Sequence, residues 1–132
     1  MNGDKTVVRV KDVMTQNFAM VDGLVTIEEA LGLFRSKNAL ALLINKRHED
    51  DEFGILLLSD IAKLVVAKDR APERVNVYEV MTKPVVSVKS RMDVRYCARL
   101  FENLGLAMAP VIEHGKILGI VSYDDIVLKG LV

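Results

Sequence analysis

The chain has 132 residues with 18 basic and 18 acidic side chains, so its formal net charge is zero. This balance argues against non-specific nucleic-acid binding, which requires a dense excess of Lys and Arg. Hydrophobic residues make up 51% of the chain and charged residues 27%, which is typical of a globular protein. The single cysteine excludes an intramolecular disulfide and any multi-cysteine metal site.

The hydrophobic segments of the chain are short. Residues 1–6 are polar and contain no apolar core of a signal peptide. The longest apolar runs, residues 39–44 and 55–58, are far too short to span a bilayer. We therefore expect a cytoplasmic protein without membrane contact.

The chain contains an internal repeat. Residues 10–15 (VKDVMT) align with residues 77–82 (VYEVMT) at an offset of 67. Further along, residues 54–55 align with residues 119–120 at an offset of 65. The difference of two residues falls in the charged segment 45–52, as expected when copies differ in the length of an exposed loop.

Both copies predict the same order of elements. In the first copy, an extended segment at residues 18–21 precedes an amphipathic helix over residues 26–37, with apolar side chains at i, i+3, i+4 and i+7. Thr26 and Glu29 have the spacing of a capping box at the start of that helix. A hairpin and a helix complete the first copy, at residues 40–44 with 53–57 and at 59–68. The matching elements of the second copy are predicted at residues 85–88, 93–103, 107–112 with 116–121, and 123–131.

The two copies define the predicted domains. The polar segment 69–76 contains Pro72 and predicts a linker, which leaves one domain at residues 8–68 and another at residues 77–131. A β-α-β-β-α copy of about 60 residues buries too little surface to be stable alone. We therefore predict an α/β fold in which two β-α-β-β-α repeats pack with pseudo-two-fold symmetry.

The tandem copies, the opening Val-Met-Thr and the closing Gly-Ile-x-x-x-x-Asp-Ile resemble a pair of CBS domains, also called a Bateman module. The resemblance covers residues 8–131. It implies a regulatory module in signal transduction that binds an adenosine-containing ligand in clefts between the copies. The implied ligands are AMP, ADP, ATP or S-adenosylmethionine. The resemblance also implies a homodimer and, because no effector segment is recognisable here, a protein partner on another chain.

The ligand signature of this family, Gly-h-x-[Thr/Ser]-x-x-Asp, is matched by residues 119–125 of the second copy. The resemblance implies that Asp125 holds the ribose hydroxyls, because a carboxylate accepts two hydrogen bonds from a cis-diol. Ser122 would donate to a phosphate at the start of the final helix, where free N–H groups also favour an anion. The alternative is that Ser122 and Asp125 only form a helix capping box, whose spacing is nearly the same.

The resemblance implies that most other residues of this main cleft come from the first copy. Ile120 of the second copy would pack on the base. Backbone groups near Phe18 and Ala19 would read the adenine edge. From its position just before the second strand of the first copy, and not from the resemblance, Lys37 is a candidate cation for the phosphate. The alternatives are a solvated helix-end lysine for Lys37 and ordinary core positions for the apolar side chains. The predicted main cleft comprises Thr15, Phe18, Ala19, Lys37, Ala39, Leu40, Ile120, Ser122 and Asp125.

The first copy departs from the signature, because Leu57 stands at the Ser/Thr position. A leucine does not donate to phosphate, and burying a charge beside it is costly. We expect this second cleft to be unoccupied or to take an uncharged adenosine. The alternative is that Asp60 is an acid of the first helical turn, with Ser59 as the cap. The predicted second cleft comprises Asp60, Thr82, Val85, Val86 and Leu106.

No set of side chains in the sequence predicts catalysis or a metal site. Cys97 lies on the apolar face of a predicted helix, which indicates a core position. His48 and His114 fall in the two hairpin turns, where we expect them to be solvated. No nucleophile, base and orienting group can be assembled, so we predict a protein that is not an enzyme.

Three other functions are weighed against ligand sensing. The first is a dimerisation or protein-interaction module whose clefts are degenerate, which Leu57 and the scarcity of cations favour. The second is a hydrolase of an adenine nucleotide, against which the missing general base and metal ligands count. The third is RNA binding through adenosine-like recognition, which the neutral charge disfavours.

Overall fold

A computed structural model of the protein describes residues 6–131. After a one-turn helix, the first copy has the predicted order β-α-β-β-α, whereas the second copy lacks the predicted first strand and has the order α-β-β-α. The helices are α1 (Val10–Val13), α2 (Ile27–Lys37), α3 (Leu58–Ile61), α4 (Val94–Leu104) and α5 (Tyr123–Gly130), with a π-helical turn at Ala62–Val66 and 3-10 turns at Pro72–Arg74 and Val77–Glu79. The strands are β1 (Phe18–Val21), β2 (Ala41–Ile44), β3 (Gly54–Leu56), β4 (Met108–Glu113) and β5 (Lys116–Ser122).

The described residues form two compact units. Unit 1 contains residues 6–16 and 86–131, and unit 2 contains residues 17–85. The opening segment of the first sequence copy therefore packs with the body of the second copy. Likewise, the opening segment of the second copy, residues 77–82, packs within unit 2. Each unit thus combines residues from both copies of the sequence repeat.

Unit 2 is built on a three-stranded sheet. Strand β1 pairs with β2 in parallel, from Phe18↔Ala41 to Val21↔Ile44, and β2 pairs with β3 antiparallel. Helix α2 provides the crossover that a parallel pair requires. Thr82 extends the sheet at its far edge by exchanging two backbone hydrogen bonds with Ile55, both 2.9 Å long. The core below the sheet includes Ile27, Phe34, Leu42, Leu56 and Val65.

Unit 1 is built on the antiparallel pair of β4 and β5. A two-residue turn joins the two strands, and both of its residues, His114 and Gly115, have positive φ, as a tight hairpin turn requires. Thr15 pairs with the outer edge of β5, and Val88 pairs with the outer edge of β4. The core of this unit includes Val10, Val13, Cys97, Phe101 and Val111.

The predicted extended segment 85–88 differs from its counterpart β1. Among the described residues it forms one parallel bridge, at Val88, whose N–H donates to the Pro110 carbonyl while its carbonyl accepts from Ile112. Continuing this ladder would require an N–H at residue 110 to donate to the Val86 carbonyl, and proline has none. Residue 43 stands at the equivalent place in β2 and is a leucine, so β1 pairs over four residues.

The two long helices begin where the sequence predicts. The Thr26 hydroxyl accepts a hydrogen bond from the Glu29 N–H at 3.1 Å, and the Asp93 carboxylate accepts from the Arg95 N–H at 2.9 Å. These contacts satisfy N–H groups that have no partner inside the helix. Asp93 also forms an ion pair with the Arg95 guanidinium, and these contacts lower the pKa of Asp93 to about 2. The predicted helices over 26–37 and 93–103 are therefore confirmed to within one residue.

The final helix of the first copy is irregular. It begins at Leu58 and changes from α to π geometry at Ala62, whereas α5 stays α-helical throughout. The prediction that Ser59 caps this helix is wrong, because Leu57 occupies the cap position and Ser59 lies inside the first turn. The Asp60 carboxylate accepts from the Leu57 N–H at 3.0 Å, which supports the reading of Asp60 as an acid of the first turn.

The remaining sequence candidates have ordinary environments. Cys97 is fully buried, and burial raises the pKa of its thiol to about 11, as expected for a core residue. His48 and His114 are exposed in their turns. Within residues 6–131, no group of three His, Cys, Asp or Glu side chains could hold a metal ion. No helix in this described part of the chain has the length and hydrophobicity needed to cross a membrane.

Candidate functional site

The closing motif of the second copy forms a complete capping box where β5 passes directly into α5. The Ser122 hydroxyl accepts from the Asp125 N–H at 3.3 Å. In return, one carboxylate oxygen of Asp125, Oδ2, accepts from the Ser122 N–H at 3.2 Å and from the Ser122 hydroxyl at 3.0 Å. The capping-box spacing of Ser122 and Asp125 is therefore realised in the structure. The same contacts hold a carboxylate and a hydroxyl in fixed positions at a helix start.

The second carboxylate oxygen of Asp125 contacts a residue that the sequence analysis did not select. Lys129 Nζ lies 3.2 Å from Asp125 Oδ1 and 3.2 Å from the Val13 carbonyl oxygen, to which it donates a hydrogen bond. Asp125 and Ser122 are buried, with 9% and 6% of their surfaces exposed. The spacing of Asp125 and Lys129, four residues apart with the acid first, is a signal for this pair that the sequence does contain.

The opening segment lies beside the closing motif within unit 1. Thr15 and Ile120 exchange backbone hydrogen bonds of 2.8 and 2.9 Å, and Ile120 is fully buried. Gly119 permits this approach, because a Cβ placed there would lie 2.8 Å from the Thr15 carbonyl oxygen. The structure therefore brings four predicted site residues into one region of unit 1, namely Thr15, Ile120, Ser122 and Asp125.

The other predicted main-cleft residues belong to unit 2. Phe18 and Ala19 start β1 and are half-buried, and the Leu40 N–H donates to the Asn17 carbonyl at 2.7 Å. Lys37 is exposed in the last turn of α2, as the alternative of a solvated helix-end lysine requires. Ala39 is buried in the core of unit 2. Leu40 is 37% exposed, so the alternative reading of Leu40 as a core residue is wrong.

The predicted second-cleft residues are also divided between the units. Unit 2 holds Asp60, Thr82 and Val85, and unit 1 holds Val86 and Leu106. Thr82 is exposed and pairs through its backbone with Ile55, which follows Gly54 as Ile120 follows Gly119. Val86 is 40% exposed, whereas Leu106 packs against the core of unit 1.

The carboxylates of the two closing motifs differ in their surroundings. Among residues 6–131, the Asp60 carboxylate accepts one hydrogen bond, from the Leu57 N–H. The Asp125 carboxylate accepts hydrogen bonds from the N–H and the hydroxyl of Ser122 and forms an ion pair with Lys129. Asp125 therefore has a fixed orientation and a hydroxyl beside it. Chemically, this arrangement offers hydrogen-bond acceptors and donors for a polyhydroxylated, anionic ligand.

Asp51 makes side-chain contacts in the charged loop between β2 and β3. Asp51 forms a 2.7 Å ion pair with Lys83 and accepts from the Arg47 N–H at 2.8 Å. These contacts hold the pKa of Asp51 well below its usual range, with the hydrogen bond from Lys83 as the largest cause. A cavity of about 450 Å³ lies beside this loop in unit 2, and Arg47, Tyr78 and Lys83 are among its lining residues.

Comparison with known proteins gives consistent results. The CBS domain family model matches residues 10–67 and 77–130. The CBS domain-containing protein YhcV of Bacillus subtilis is 29% identical over 120 residues, covering 91% of this chain and 84% of YhcV. The hexameric CBS-CP12 protein from bloom-forming cyanobacteria has a TM-score of 0.91 at 37% identity, covering 96% of this chain and 74% of that one.

A second solved structure contains bound molecules. The CBS domain pair of protein MJ0100, in complex with 5′-methylthioadenosine and S-adenosyl-L-methionine, has a TM-score of 0.79 at 25% identity. The match covers 95% of this chain and 98% of that one. Several curated relatives are much longer proteins, since this chain spans 43%, 23% and 25% of the length of three of them.

Proposed function

The chain belongs to the CBS domain family and carries two copies of the domain, and we propose that it is a regulatory module that binds an adenosine-containing ligand through Asp125 and Ser122. The ligand class is AMP, ADP, ATP or S-adenosylmethionine. The observation that carries the proposal is the buried, fixed Asp125 carboxylate with the Ser122 hydroxyl beside it. The bound 5′-methylthioadenosine and S-adenosyl-L-methionine of MJ0100 support the class, because both contain adenosine.

The hydrogen-bond capacity of Asp125 suggests how the ribose binds. A carboxylate oxygen accepts about two hydrogen bonds. In the described part of the chain, Oδ2 already accepts two from Ser122, and Oδ1 contacts Lys129, which leaves one acceptor position on Oδ1. In our proposal one ribose hydroxyl takes that position. The Ser122 hydroxyl then rotates from Oδ2 to the ligand's 5′ substituent, which frees a position on Oδ2 for the second ribose hydroxyl.

The remaining main-cleft residues are part of the same proposal. Thr15 and Ile120 lie next to the motif in unit 1 and are proposed to line the same site. The closing motif of the first copy, with Asp60, is proposed to be the weaker site because it has Leu57 in place of Ser122. No reaction is assigned to either site, and the ligand's effect is passed to a protein partner in the cytoplasm.

A thermal-shift panel tests the proposal. We expect one of AMP, ADP, ATP or S-adenosylmethionine to raise the melting temperature of the wild-type protein, because a ligand at a hundredfold excess over its Kd stabilises the folded state by about 2.7 kcal/mol. GMP serves as the base control. Asp125→Ala should lose the shift, and the matched variant Asp60→Ala should keep it.

One alternative function has an observation in its favour. Helix α5 exposes two adjacent apolar residues, Val127 by 51% and Leu128 by 78%, which offer apolar area for contact with a partner. A dimerisation or protein-docking module without a ligand would use such a surface. If no adenosine compound shifts the melting temperature at millimolar concentration, this alternative replaces the ligand-sensing proposal.

A further inference from the structure

We propose that Lys129 is a positioning residue of the Asp125 site, which aims the carboxylate at the ribose and connects it to the opening segment of the chain. This inference rests on the proposed function, since it concerns the same carboxylate. It assigns a role to a side chain outside the ligand signature, which ends at Asp125.

The two carboxylate oxygens of Asp125 have different partners. Ser122 contacts Oδ2 from the start of the helix, and Lys129 contacts Oδ1 from the next turn, at 3.2 Å. Two fixed oxygens prevent the carboxylate from rotating about its Cβ–Cγ bond. Because Lys129 takes one acceptor position of Oδ1, the other acceptor position of this oxygen is the one proposed for a ribose hydroxyl. A pre-oriented acceptor binds without the entropic cost of ordering the side chain.

The first copy lacks the two side chains that contact this carboxylate. At the repeat offset of 65, the position of Lys129 is occupied by Leu64, and that of Ser122 by Leu57. Both groups that fix Asp125 are thus replaced by leucine around Asp60. The lysine and the serine occur together in one copy and are absent together from the other, as expected if they serve one site.

The second contact of Lys129 reaches a different part of unit 1. Its Nζ donates to the carbonyl of Val13, the last residue of α1, which is where a cation at a helix C-terminus is favoured. The next two residues are held by Met14 N–H to Val10 and Thr15 N–H to Ile120, at 2.9 and 2.8 Å. In our proposal, Oδ1 of Asp125 therefore has two partners, a ribose hydroxyl and the Lys129 ammonium. The same ammonium also holds the opening segment through its hydrogen bond to the Val13 carbonyl.

Ribose selectivity distinguishes positioning from a general structural role. The probes are adenosine and 2′-deoxyadenosine, because every proposed ligand contains adenosine, and their Kd values are measured by NMR titration. We expect the wild-type protein to prefer adenosine by about tenfold or more, as for a lost hydrogen bond to a charged group. Lys129→Met should reduce this preference to less than threefold. Lys116→Met, which removes an exposed lysine from the same unit, should leave it unchanged.

Each outcome bears on a different claim. Equal weakening of both nucleosides in Lys129→Met, with the preference intact, would overturn the positioning role. Binding of neither nucleoside to the wild-type protein would overturn the proposed function, and this inference with it. A ligand-free measurement is independent of that second outcome: amide hydrogen exchange at Met14 and Thr15 should accelerate several-fold in Lys129→Met but not in Lys116→Met. Unchanged exchange at these amides would disprove the connection to the opening segment.

Discussion

Replacing Phe101 by alanine is expected to lower the free energy of unfolding of unit 1 by about 3–5 kcal/mol, the cost of an aromatic-to-alanine cavity in a packed core. Phe101 is fully buried in α4, and its ring packs edge-on against Tyr123 with centroids 5.4 Å apart. Tyr123 is the first residue of α5, between Ser122 and Asp125. The substitution should therefore also weaken ligand binding by loosening the start of that helix.

Urea denaturation followed by far-ultraviolet circular dichroism measures this effect. The matched control is Tyr96→Ala, which removes an aromatic ring from the exposed face of the same helix. We expect that control to change the free energy of unfolding by less than about 1 kcal/mol, as is usual for surface positions. Equal destabilisation by the two variants would show that Phe101 does not organise the core of unit 1.

The second large effect is expected from Gly119→Ala, which should destabilise unit 1 by about 1–3 kcal/mol through overpacking. The new Cβ would lie 2.8 Å from the Thr15 carbonyl oxygen and 3.1 Å from the Met14 sulfur. The carbonyl cannot move away without cost, since it accepts from the Ile120 N–H at 2.9 Å. The variant should therefore separate the opening segment from β5, which increased hydrogen exchange of the Thr15 amide would report.

A glycine elsewhere provides the control for this substitution. Gly32 lies inside α2, and a Cβ at that position meets no other atom within 4 Å. Gly32→Ala should raise the free energy of unfolding by about 0.5–1 kcal/mol, because alanine is the better helix former. Stability equal to or above wild type in Gly119→Ala would contradict the close packing of the two motifs.

These contacts explain why two short motifs mark each sequence copy. The Met-Thr of an opening segment and the Gly-Ile of a closing strand contact each other, as Met14 and Thr15 do with Gly119 in unit 1. Gly54 has the equivalent surroundings, with the Met81 sulfur 2.9 Å from the position of an added Cβ. The glycine in the ligand signature therefore has a packing role that is independent of any ligand.

Local sequence patterns predicted most of the fold. The periodicity of α2 and α4, the Thr26 cap of α2 and the two hairpins all depend on interactions between residues close in sequence, and they are found to within a few residues. The helix cap at Leu57 was missed because its hydrogen bond uses the backbone N–H, which every residue but proline has. The single bridge at Val88 depends on Pro110 in another strand, so the segment's own residues do not reveal it.

Predicting the site from the sequence was harder for the same reason. Ser122 and Asp125 could be selected because their spacing is local and matches a motif. The contact of Lys129 with Val13 joins residues 116 positions apart, and only the folded unit 1 brings them together. The exchange of opening segments is likewise a long-range feature: the sequence repeat begins with residues that the structure places in the other copy's unit.

The most direct test of the central claim is a calorimetric titration of the wild-type protein, Asp125→Ala and Asp60→Ala with the adenosine compound that gives the largest thermal shift. We expect one site per chain of measurable affinity, retained in Asp60→Ala and lost in Asp125→Ala. Two hydrogen bonds from ribose to a charged acceptor correspond to at least a hundredfold loss in affinity, at about 1.5–3 kcal/mol each. Binding that survives in Asp125→Ala and disappears in Asp60→Ala would contradict the assignment of the ligand to the second copy's closing motif.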